Sequence, residues 1–416
     1  MGFIVLNVNN ISNKRLLIGG LLILLSLFSK ETGILFLVIT GLFHFLYRRL
    51  TVFKIIWTDA LVLGVYIMMR FFMANVSFTK LAYVPIVKLS LVQRLYTVPE
   101  IIFYYIKTFF YPKDLTISQH WVVNSPSVTM FYMPLFLDIL FLFILISFGI
   151  YCWKYSKESL KPYLFFTLWF LLGIGLHMQI FPLDMTVAER WFYFSIVGLL
   201  GIIGVFLNCM TSIKYKKVMA VLSIVVLSIL SLRTVRRTFD WKNAMTLYLH
   251  DIQHNDSSFD LESNAGAELF RAGRKEEAKR HFEKSVVLAP EHWVNSANLA
   301  GYYYDAKDFV NAEKYYEISI KNGPNFQPSY ENYGRLLVYY DTSNGKRAKE
   351  FLDKSVKRFP KNGKLWLYLT IANYQQSLAG EALIAAEQAY ILEPNNNSKY
   401  VYFRLKQNLP LEINIK

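Results

Sequence analysis

The sequence predicts an all-α protein in two parts, a polytopic bundle of transmembrane helices followed by an α-solenoid of helical repeats. Hydrophobic residues make up 54% and aromatic residues 17% of the 416-residue chain, which is more than a soluble core requires. Residues 1–240 hold 22 Lys and Arg against 9 Asp and Glu, whereas residues 241–416 hold 23 against 21. The apolar, basic first part therefore predicts a membrane environment, and the mixed-charge second part predicts an aqueous one.

Seven apolar stretches predict the membrane bundle, which we assign to residues 1–235. Several of them approach the roughly 20 residues that a helix needs to cross a bilayer. The first two are shorter, and the polar turn Ser29–Thr32 alone separates them, which suits short or tilted helices. The stretches are Leu16–Phe28, Ile34–Tyr47, Ile55–Met73, Pro134–Trp153, Tyr163–Phe181, Trp191–Asn208 and Val218–Leu232.

The basic loops between these stretches predict the orientation of the chain. Four of them, at residues 14–15, 48–54, 154–161 and 214–217, lie on one side if residues 74–133 form a single long loop on the other. Short loops rich in Lys and Arg stay in the cytoplasm. We therefore expect a multi-pass protein of the cell membrane, surrounded by membrane lipids, with the long loop and all the repeats extracytoplasmic. Basic residues dispersed among apolar stretches also argue against nucleic acid as a partner.

A period of 34 residues identifies the repeats. Ala278 and Ala312 are 34 residues apart, as are Pro290 and Pro324, and this is the period of the tetratricopeptide repeat, in which small residues let two antiparallel helices approach closely. We predict a bridge helix at 236–258, four repeats over 259–396, and a capping helix with a tail at 397–416. The individual repeats are 259–292, 293–326, 327–362 and 363–396.

Ionisable residues between the first two apolar stretches form one candidate binding group. Lys30 and Glu31 lie where charge is costly unless it is paired or faces water, so such residues are functional candidates. The alternative is a turn that merely reaches the membrane interface.

A second candidate group precedes the aromatic run Trp191–Tyr193. Asp184 and Glu189 suit a cation or a sugar hydroxyl, and Arg190 suits a phosphate, which Arg binds through two hydrogen bonds. The alternative is an interfacial aromatic belt with a local Glu–Arg pair. If both loops emerge on one face, we expect the two groups to meet at the outer end of the bundle.

The repeats carry a third candidate site. Asn264, Asn298 and Asn332 are spaced by 34 residues, each two positions before the small residue of the first helix in its repeat. An amide side chain offers both a donor and an acceptor, as the backbone of an extended peptide requires. The spacing is similar to the asparagine ladder of protein O-N-acetylglucosamine transferases. The alternative is that these side chains hydrogen-bond a neighbouring helix, and Tyr368 interrupts the series in the fourth repeat.

Several motifs, taken in order, resemble one family. Ser29-Lys-Glu-Thr-Gly33 resembles a Ser-Lys-Glu-x-Gly element, and Ala188–Ser195 resembles an Ala-Glu-Arg-Tyr-x-Tyr-x-Pro-Ser element, with Phe194 in place of the proline. Both belong to the transmembrane and tetratricopeptide-repeat-containing O-mannosyltransferases and their bacterial relatives. Parts of the loop 83–114 and Arg237–Tyr248 are similar to the family's outer loop and its bridge into the repeats.

The resemblance implies a polyprenyl-phosphate-sugar-dependent protein O-glycosyltransferase of the C-type fold, a lipid-linked sugar donor, and repeats that bind a protein partner or acceptor. The family's first outer loop holds an acidic catalytic or metal-binding residue, and a divalent metal is a further expectation for the complete enzyme. That loop has no counterpart in residues 1–416. The resemblance covers nearly the whole of this chain, which corresponds to the C-terminal part of the family's proteins, and no metal ligand is predicted here. The alternative is a non-catalytic, membrane-anchored protein-interaction scaffold.

Overall fold

The computed structural model describes residues 1–6, 11–74, 83–340 and 345–412. Part of the predicted long loop, residues 75–82, and the end of the predicted tail, residues 413–416, lie outside the described residues. The described chain is built from α-helices joined by turns and short 3₁₀ or π segments, as the sequence predicts. It forms two compact units, Met1–Lys242 and Asn243–Lys416, whose boundary falls inside the predicted bridge 236–258.

The first unit contains ten helices within its described residues, and four of its helical segments are long and apolar enough to cross a membrane: Arg49–Met73, Val128–Tyr155, Glu189–Cys209 and Ile213–Asp240. The segment Glu31–Tyr47 is also apolar but shorter. The count of seven spans stays a prediction. The helices are α1 Gly2–Leu6, α2 Asn13–Ser29, α3 Ile34–Tyr47, α4 Val52–Ile67, α5 Pro85–Lys88, α6 Leu91–Phe110, α7 Met133–Tyr155, α8 Lys157–Gly175, α9 Tyr193–Cys209 and α10 Ile213–Asp240.

Glycines let α8 and α9 pack closely. A Cβ added to Gly198 would lie 2.4 Å from the backbone nitrogen of Phe170, and one added to Gly173 would lie 2.4 Å from the Ser195 hydroxyl. Without a driving force from water, helices in lipid associate through such close contacts at small residues. The tight pairing fixes where the ends of α8 and α9 lie, and the candidate residues are at those ends.

The segments that connect the helices of this unit lie at its two opposite ends. At the end that we call the loop end, Arg94 of α6 donates hydrogen bonds to the backbone oxygens of Gln179 (2.9 Å) and Ile180 (3.2 Å). At the same end, Arg233 near the end of α10 donates to the oxygen of Pro112 at 3.0 Å. The basic loops 48–54 and 154–161 lie at the opposite ends of their helices, which we call the basic end.

Within its described residues, the second unit contains one helix that precedes the repeats, four antiparallel pairs and a final helix. Within each pair, small residues occupy the contact: Ala278, Ala312, Ala348 and Ala382 are all buried. A Cβ on Gly266 would lie 2.6 Å from the ring of Phe282, so large side chains fill the space opposite the small ones. The helices are α11 Ala244–His254, α12 Phe259–Arg271, α13 Lys275–Leu288, α14 Trp293–Asp305, α15 Phe309–Asn322, α16 Gln327–Tyr339, α17 Gly345–Arg358, α18 Gly363–Gln375, α19 Ala379–Leu392 and α20 Asn396–Lys406.

Candidate functional site

The turn that contains Lys30 and Glu31 is tight. Helix α2 ends at Ser29, Lys30 adopts an extended backbone, and a short 3₁₀ turn at Glu31–Gly33 leads into α3. A Cβ on Gly33 would lie 2.8 Å from the carbonyl carbon of Ser26 and 2.9 Å from the nitrogen of Leu27. Because both of these are backbone atoms, only glycine fits at the end of this turn.

Glu31 pairs with an arginine that the sequence analysis did not single out. Its Oε1 lies 2.7 Å from Nη2 of Arg70, at the end of the segment that continues α4, and Nη1 of Arg70 donates to the Tyr66 hydroxyl at 2.8 Å. The Glu31 side chain is 68% exposed, so this pair contributes little stability. Its effect is to direct the Glu31 carboxylate towards α4.

The second candidate group lies on the irregular segment between α8 and α9. The amide of Gln179 donates to the backbone oxygens of Met185 (2.8 Å) and Thr186 (2.9 Å), and Gln179 itself has a left-handed backbone conformation. The nitrogen of Thr186 also donates to the oxygen of Gln119 at 2.9 Å. The buried Gln179 side chain and the backbone of Gln119 therefore supply hydrogen bonds that a loop without regular structure needs.

Glu189 and Asp184 do not line the cleft that Arg190 lines. Oε1 of Glu189 accepts a hydrogen bond from the backbone nitrogen of Thr116 at 2.6 Å, so Glu189 fastens the segment after α6 to the start of α9. Asp184 is exposed and makes no hydrogen bond or ion pair with any described residue. Of this group, only Arg190 lines a cleft together with Lys30.

That cleft, which we call the cation cleft, has a volume of about 330 Å³ and lies between the start of α3 and the start of α9. Its cations are Lys30 and Arg190. Trp191 stacks on His177 at 5.1 Å between ring centroids, and the indole of Trp169 donates to the oxygen of Phe194 at 2.9 Å, so the aromatic walls are fixed. The lining residues are Lys30, Thr32, Phe36, Trp169, Arg190, Trp191, Tyr193, Phe194 and Val197.

The composition of the cation cleft defines what it can bind. Two cationic side chains and the Thr32 hydroxyl offer hydrogen-bond donors to an anion, whereas no carboxylate lines the cleft. Aromatic and aliphatic side chains offer surfaces for a ring and for a hydrocarbon chain. A larger cleft of about 520 Å³, near Glu158 at the basic end, has no cation in its lining.

The asparagines of the repeats differ in their surroundings. Asn264 is exposed, whereas Asn298 and Asn332 are partly buried. The Asn298 amide donates to the Ser263 hydroxyl of the preceding repeat at 3.0 Å, which is the packing role that the sequence analysis left open. The peptide-binding role of the three residues stays a prediction.

Metal ligands are not grouped in the part of the chain that the structure describes. No three His, Cys, Asp or Glu side chains come together there as a metal site requires. The described residues therefore do not fit a divalent metal, and no chemistry is assigned to one.

An apolar helical bundle joined to a tetratricopeptide-repeat solenoid defines a membrane protein of the repeat-containing class. The human protein O-mannosyl-transferase TMTC3 is 26% identical over 209 residues, which cover 49% of this chain and 23% of that protein. The mouse protein of the same name is 25% identical over the same coverage. These matches confirm the resemblance to that family, although they span less than a quarter of the relatives' length.

The chain was also compared with protein-family models and with solved structures. No family model matches the chain. Similar solved structures include YrrB, described as a tetratricopeptide-repeat protein with an unusual peptide-binding site, with 16% identity and a TM-score of 0.34 over 40% of this chain and 86% of that one. PilF of Pseudomonas aeruginosa is 16% identical, with a TM-score of 0.37 over 43% of this chain and 81% of that one.

Proposed function

We propose that this chain carries the donor-binding cleft and the acceptor-presenting repeats of a protein O-glycosyltransferase that uses a polyprenyl-phosphate sugar. The supporting observation is the cation cleft, in which Lys30 and Arg190 lie beside aromatic and aliphatic side chains. A polyprenyl-phosphate sugar has the matching parts: an anionic phosphate, a ring that packs on aromatic side chains, and a long hydrocarbon chain.

The reaction determines the roles of these residues. An acceptor hydroxyl oxygen forms a bond to the anomeric carbon, the bond from that carbon to the phosphate oxygen breaks, and polyprenyl phosphate leaves. Negative charge accumulates on the departing phosphate, and we assign its stabilisation to Lys30 and Arg190. The base that takes the hydroxyl proton is not among the cleft-lining residues, none of which is acidic, so the role assigned to this cleft is donor binding. Glu189 is a positioning residue, because it holds the segment beside Arg190 in place.

Binding of polyprenyl phosphate to the chain in lipid nanodiscs, followed by native mass spectrometry, tests the cleft. We expect Lys30→Ala and Arg190→Ala each to weaken binding about tenfold or more, because each loses a charge-assisted hydrogen bond of about 1.5–3 kcal/mol. Arg49→Ala, an exposed cation at the basic end, is the matched control and should bind like the wild type. Unchanged binding in both cleft variants would favour the scaffold alternative, and an equal loss in the control would indicate unspecific charge attraction.

The proposal includes the orientation of the chain. It places the cation cleft, loop 74–133 and the repeats on the extracytoplasmic side. The contact of Arg233 with Pro112 supports this arrangement, because it brings the long loop to the end of α10 from which the chain continues to the repeats. A single cysteine at position 257, with Cys152 and Cys209 replaced by Ser, should react with a membrane-impermeant maleimide on intact cells. If the cysteine reacts only after the cells are permeabilised, position 257 is cytoplasmic and the proposed orientation is wrong.

The repeats are proposed to hold an extended acceptor peptide along Asn264, Asn298 and Asn332. The triple Asn→Ala variant should lose binding of extended polypeptide, while its stability falls by no more than the roughly 1 kcal/mol that the Asn298–Ser263 hydrogen bond contributes. A lowered melting temperature with unchanged binding would show that the three amides serve packing alone.

A further inference from the structure

The outer face of helix α17 carries three exposed lysines, Lys346, Lys354 and Lys357, which we call the lysine stripe. The helical period places them on the side opposite the buried Ala348, and they extend over about 16 Å because each residue adds about 1.5 Å. Glu350 lies between them and offsets one charge. The stripe therefore presents a net positive charge to its surroundings.

Neither ion pairing nor helix stability accounts for the lysine stripe. Among the described residues, the ion pairs of α17 are formed by Arg347 and Lys349 instead. A cation stabilises a helix in its last turn, where Lys357 lies. It destabilises a helix in the first turn, where Lys346 lies and where α17 has no acidic residue. The stability of the repeats therefore does not explain these charges.

Two exposed isoleucines lie on the outer face of the neighbouring helix α19. Lys349 of α17 pairs with Glu381 of α19 at 2.8 Å, so the two helices lie side by side. Ile391 follows Lys357 by 34 residues and is its counterpart in the next repeat, and Ile384 lies two helical turns before Ile391. Each isoleucine is 63% exposed. Lysines beside exposed aliphatic side chains are typical of a face that lies on a lipid surface, where the cations meet anionic headgroups and the aliphatic groups enter the acyl boundary.

The membrane is an anionic partner that the chain itself brings within reach. Helix α10 is long and apolar enough to cross a bilayer, and the repeat unit follows it in the chain from Asn243. A tethered surface has a high effective concentration, so weak contacts suffice for binding. An acidic polypeptide would also match the lysines, whereas the isoleucines beside them match the boundary between lipid headgroups and acyl chains.

We propose that the lysine stripe of α17, together with Ile384 and Ile391 of α19, is a docking surface for anionic phospholipid. Phosphate groups of the lipid pair with the lysines, and the two isoleucines enter the headgroup layer. Docking restricts the movement of the repeats relative to the bilayer that anchors the chain. The proposal is independent of any glycosyltransferase activity and of the side of the membrane on which the repeats lie.

Acetylation of individual lysines, measured by mass spectrometry, tests this docking in the full chain. The protein is placed in dilute nanodiscs of phosphatidylcholine, with or without phosphatidylglycerol, and reacted briefly with an N-hydroxysuccinimide ester of acetic acid. We expect the lysine stripe to react about fivefold or more slowly in the anionic discs, because the lipid headgroups pair with its amines. Lys307 and Lys399 are exposed outside the α17–α19 face and should react alike in both kinds of disc. About 1 M NaCl, where the Debye length is about 3 Å, should remove most of the protection.

A double variant tests the contribution of the charges. Lys354→Gln combined with Lys357→Gln should bring the reaction rate of Lys346 in anionic discs to within about twofold of its rate in neutral discs, because each lysine near an anionic surface adds to the attraction. Lys307→Gln combined with Lys399→Gln removes the same net charge and is the matched control, which should leave the protection of the stripe unchanged. Circular dichroism checks that the repeats remain folded in both.

A second double variant, Ile384→Ser with Ile391→Ser, tests the apolar part and should reduce the protection of the lysine stripe while leaving its salt dependence. Unchanged protection in this variant would overturn the contact of the isoleucines with lipid. Equal reaction rates of the wild-type stripe in the two kinds of disc would overturn the docking surface, as would an equal loss of protection in the lysine variant and its control. Protection that appears only when soluble polyglutamate is added would assign the stripe to an acidic protein partner instead.

Discussion

The membrane unit and the repeat unit both bring helices together at small residues. They differ in whether backbone or side-chain atoms lie opposite the glycine. In the α8–α9 pair, a Cβ on Gly198 would meet backbone atoms of Phe166 and Phe170 at 2.4–2.7 Å. In the repeats, a Cβ on Gly334 would meet the end of the Leu352 side chain at 2.8 Å. A side chain can change its rotamer, whereas a helix backbone moves only if the whole pair separates. The first contact is therefore rigid and the second adaptable.

The largest expected effect tests the rigid contact. Gly198→Ala should destabilise the membrane unit by about 3 kcal/mol, the upper part of the range for overpacked sites, because the added methyl group meets backbone. The measurement is thermal unfolding of the full chain in detergent micelles. Gly204→Ala on the same helix, where an added Cβ has nothing within 4 Å, is the control and should be neutral or slightly stabilising. Similar melting temperatures for the two variants would contradict the distinction.

A smaller effect concerns the charged contact that joins the two helices of the first repeat. The Glu262 carboxylate is buried; its Oε2 is hydrogen-bonded to Nδ1 of His281 at 2.6 Å, and its Oε1 forms an ion pair with Nζ of Lys284 at 2.7 Å. Burial alone would raise the pKa of Glu262, but these two partners outweigh it and hold the pKa below its usual value. Because the pKa is lower in the folded state, the pair stabilises the repeat above about pH 4.5, and that stability is lost as the pH falls through the folded-state value.

Glu262→Gln should therefore cost about 1–2 kcal/mol at pH 7, less than a fully buried pair, because His281 and Lys284 are partly exposed to solvent. The cost should shrink when the wild type and the variant are compared at about pH 3. Hydrogen exchange in α12 and α13 measures it locally. Glu283→Gln, at a half-exposed carboxylate on α13, should stay within about 0.5 kcal/mol of the wild type. A Glu262 effect that does not change with pH would rule out the ionic origin.

The smallest expected effect tests the adaptable contact. Gly334→Ala should change stability by about 1 kcal/mol or less, because the gain in helix propensity offsets the shift of Leu352. Gly301→Ala on α14 has open space for the methyl group and should stabilise the repeats by up to about 1 kcal/mol. A loss at Gly334 as large as that at Gly198 would show that both units pack with equal rigidity.

Local patterns in the sequence were sufficient to predict the helical class and the repeats. Hydropathy and a 34-residue period describe neighbours along the chain, and the helices follow from them. The partners of the candidate residues were not predictable in this way, because Glu31 binds Arg70 across 39 positions and Glu189 binds the backbone of Thr116 across 73. Such contacts depend on how the helices pack.

The candidate sites show the same limit. Lys30 and Arg190 could be selected as candidates because charge beside an apolar stretch is visible locally, and the structure brings both to one cleft, while their binding role stays a prediction. Trp169 was missed because an aromatic residue inside an apolar stretch looks like any lipid-facing residue.

The surroundings of helix α10 constrain its amino-acid sequence less than those of the other helices do. None of the residues in its most apolar stretch is buried by the part of the chain that the structure describes, so Leu, Ile and Val there have no fixed protein neighbour within it. Where a side chain packs against no fixed neighbour, replacing one aliphatic residue by another changes the stability little. In a saturation mutagenesis experiment, this stretch should therefore tolerate every aliphatic exchange and reject charge, whereas Arg233, bound to the backbone at Pro112, should tolerate almost none. Such a helix requires apolar side chains, but it does not require a particular aliphatic residue at each position.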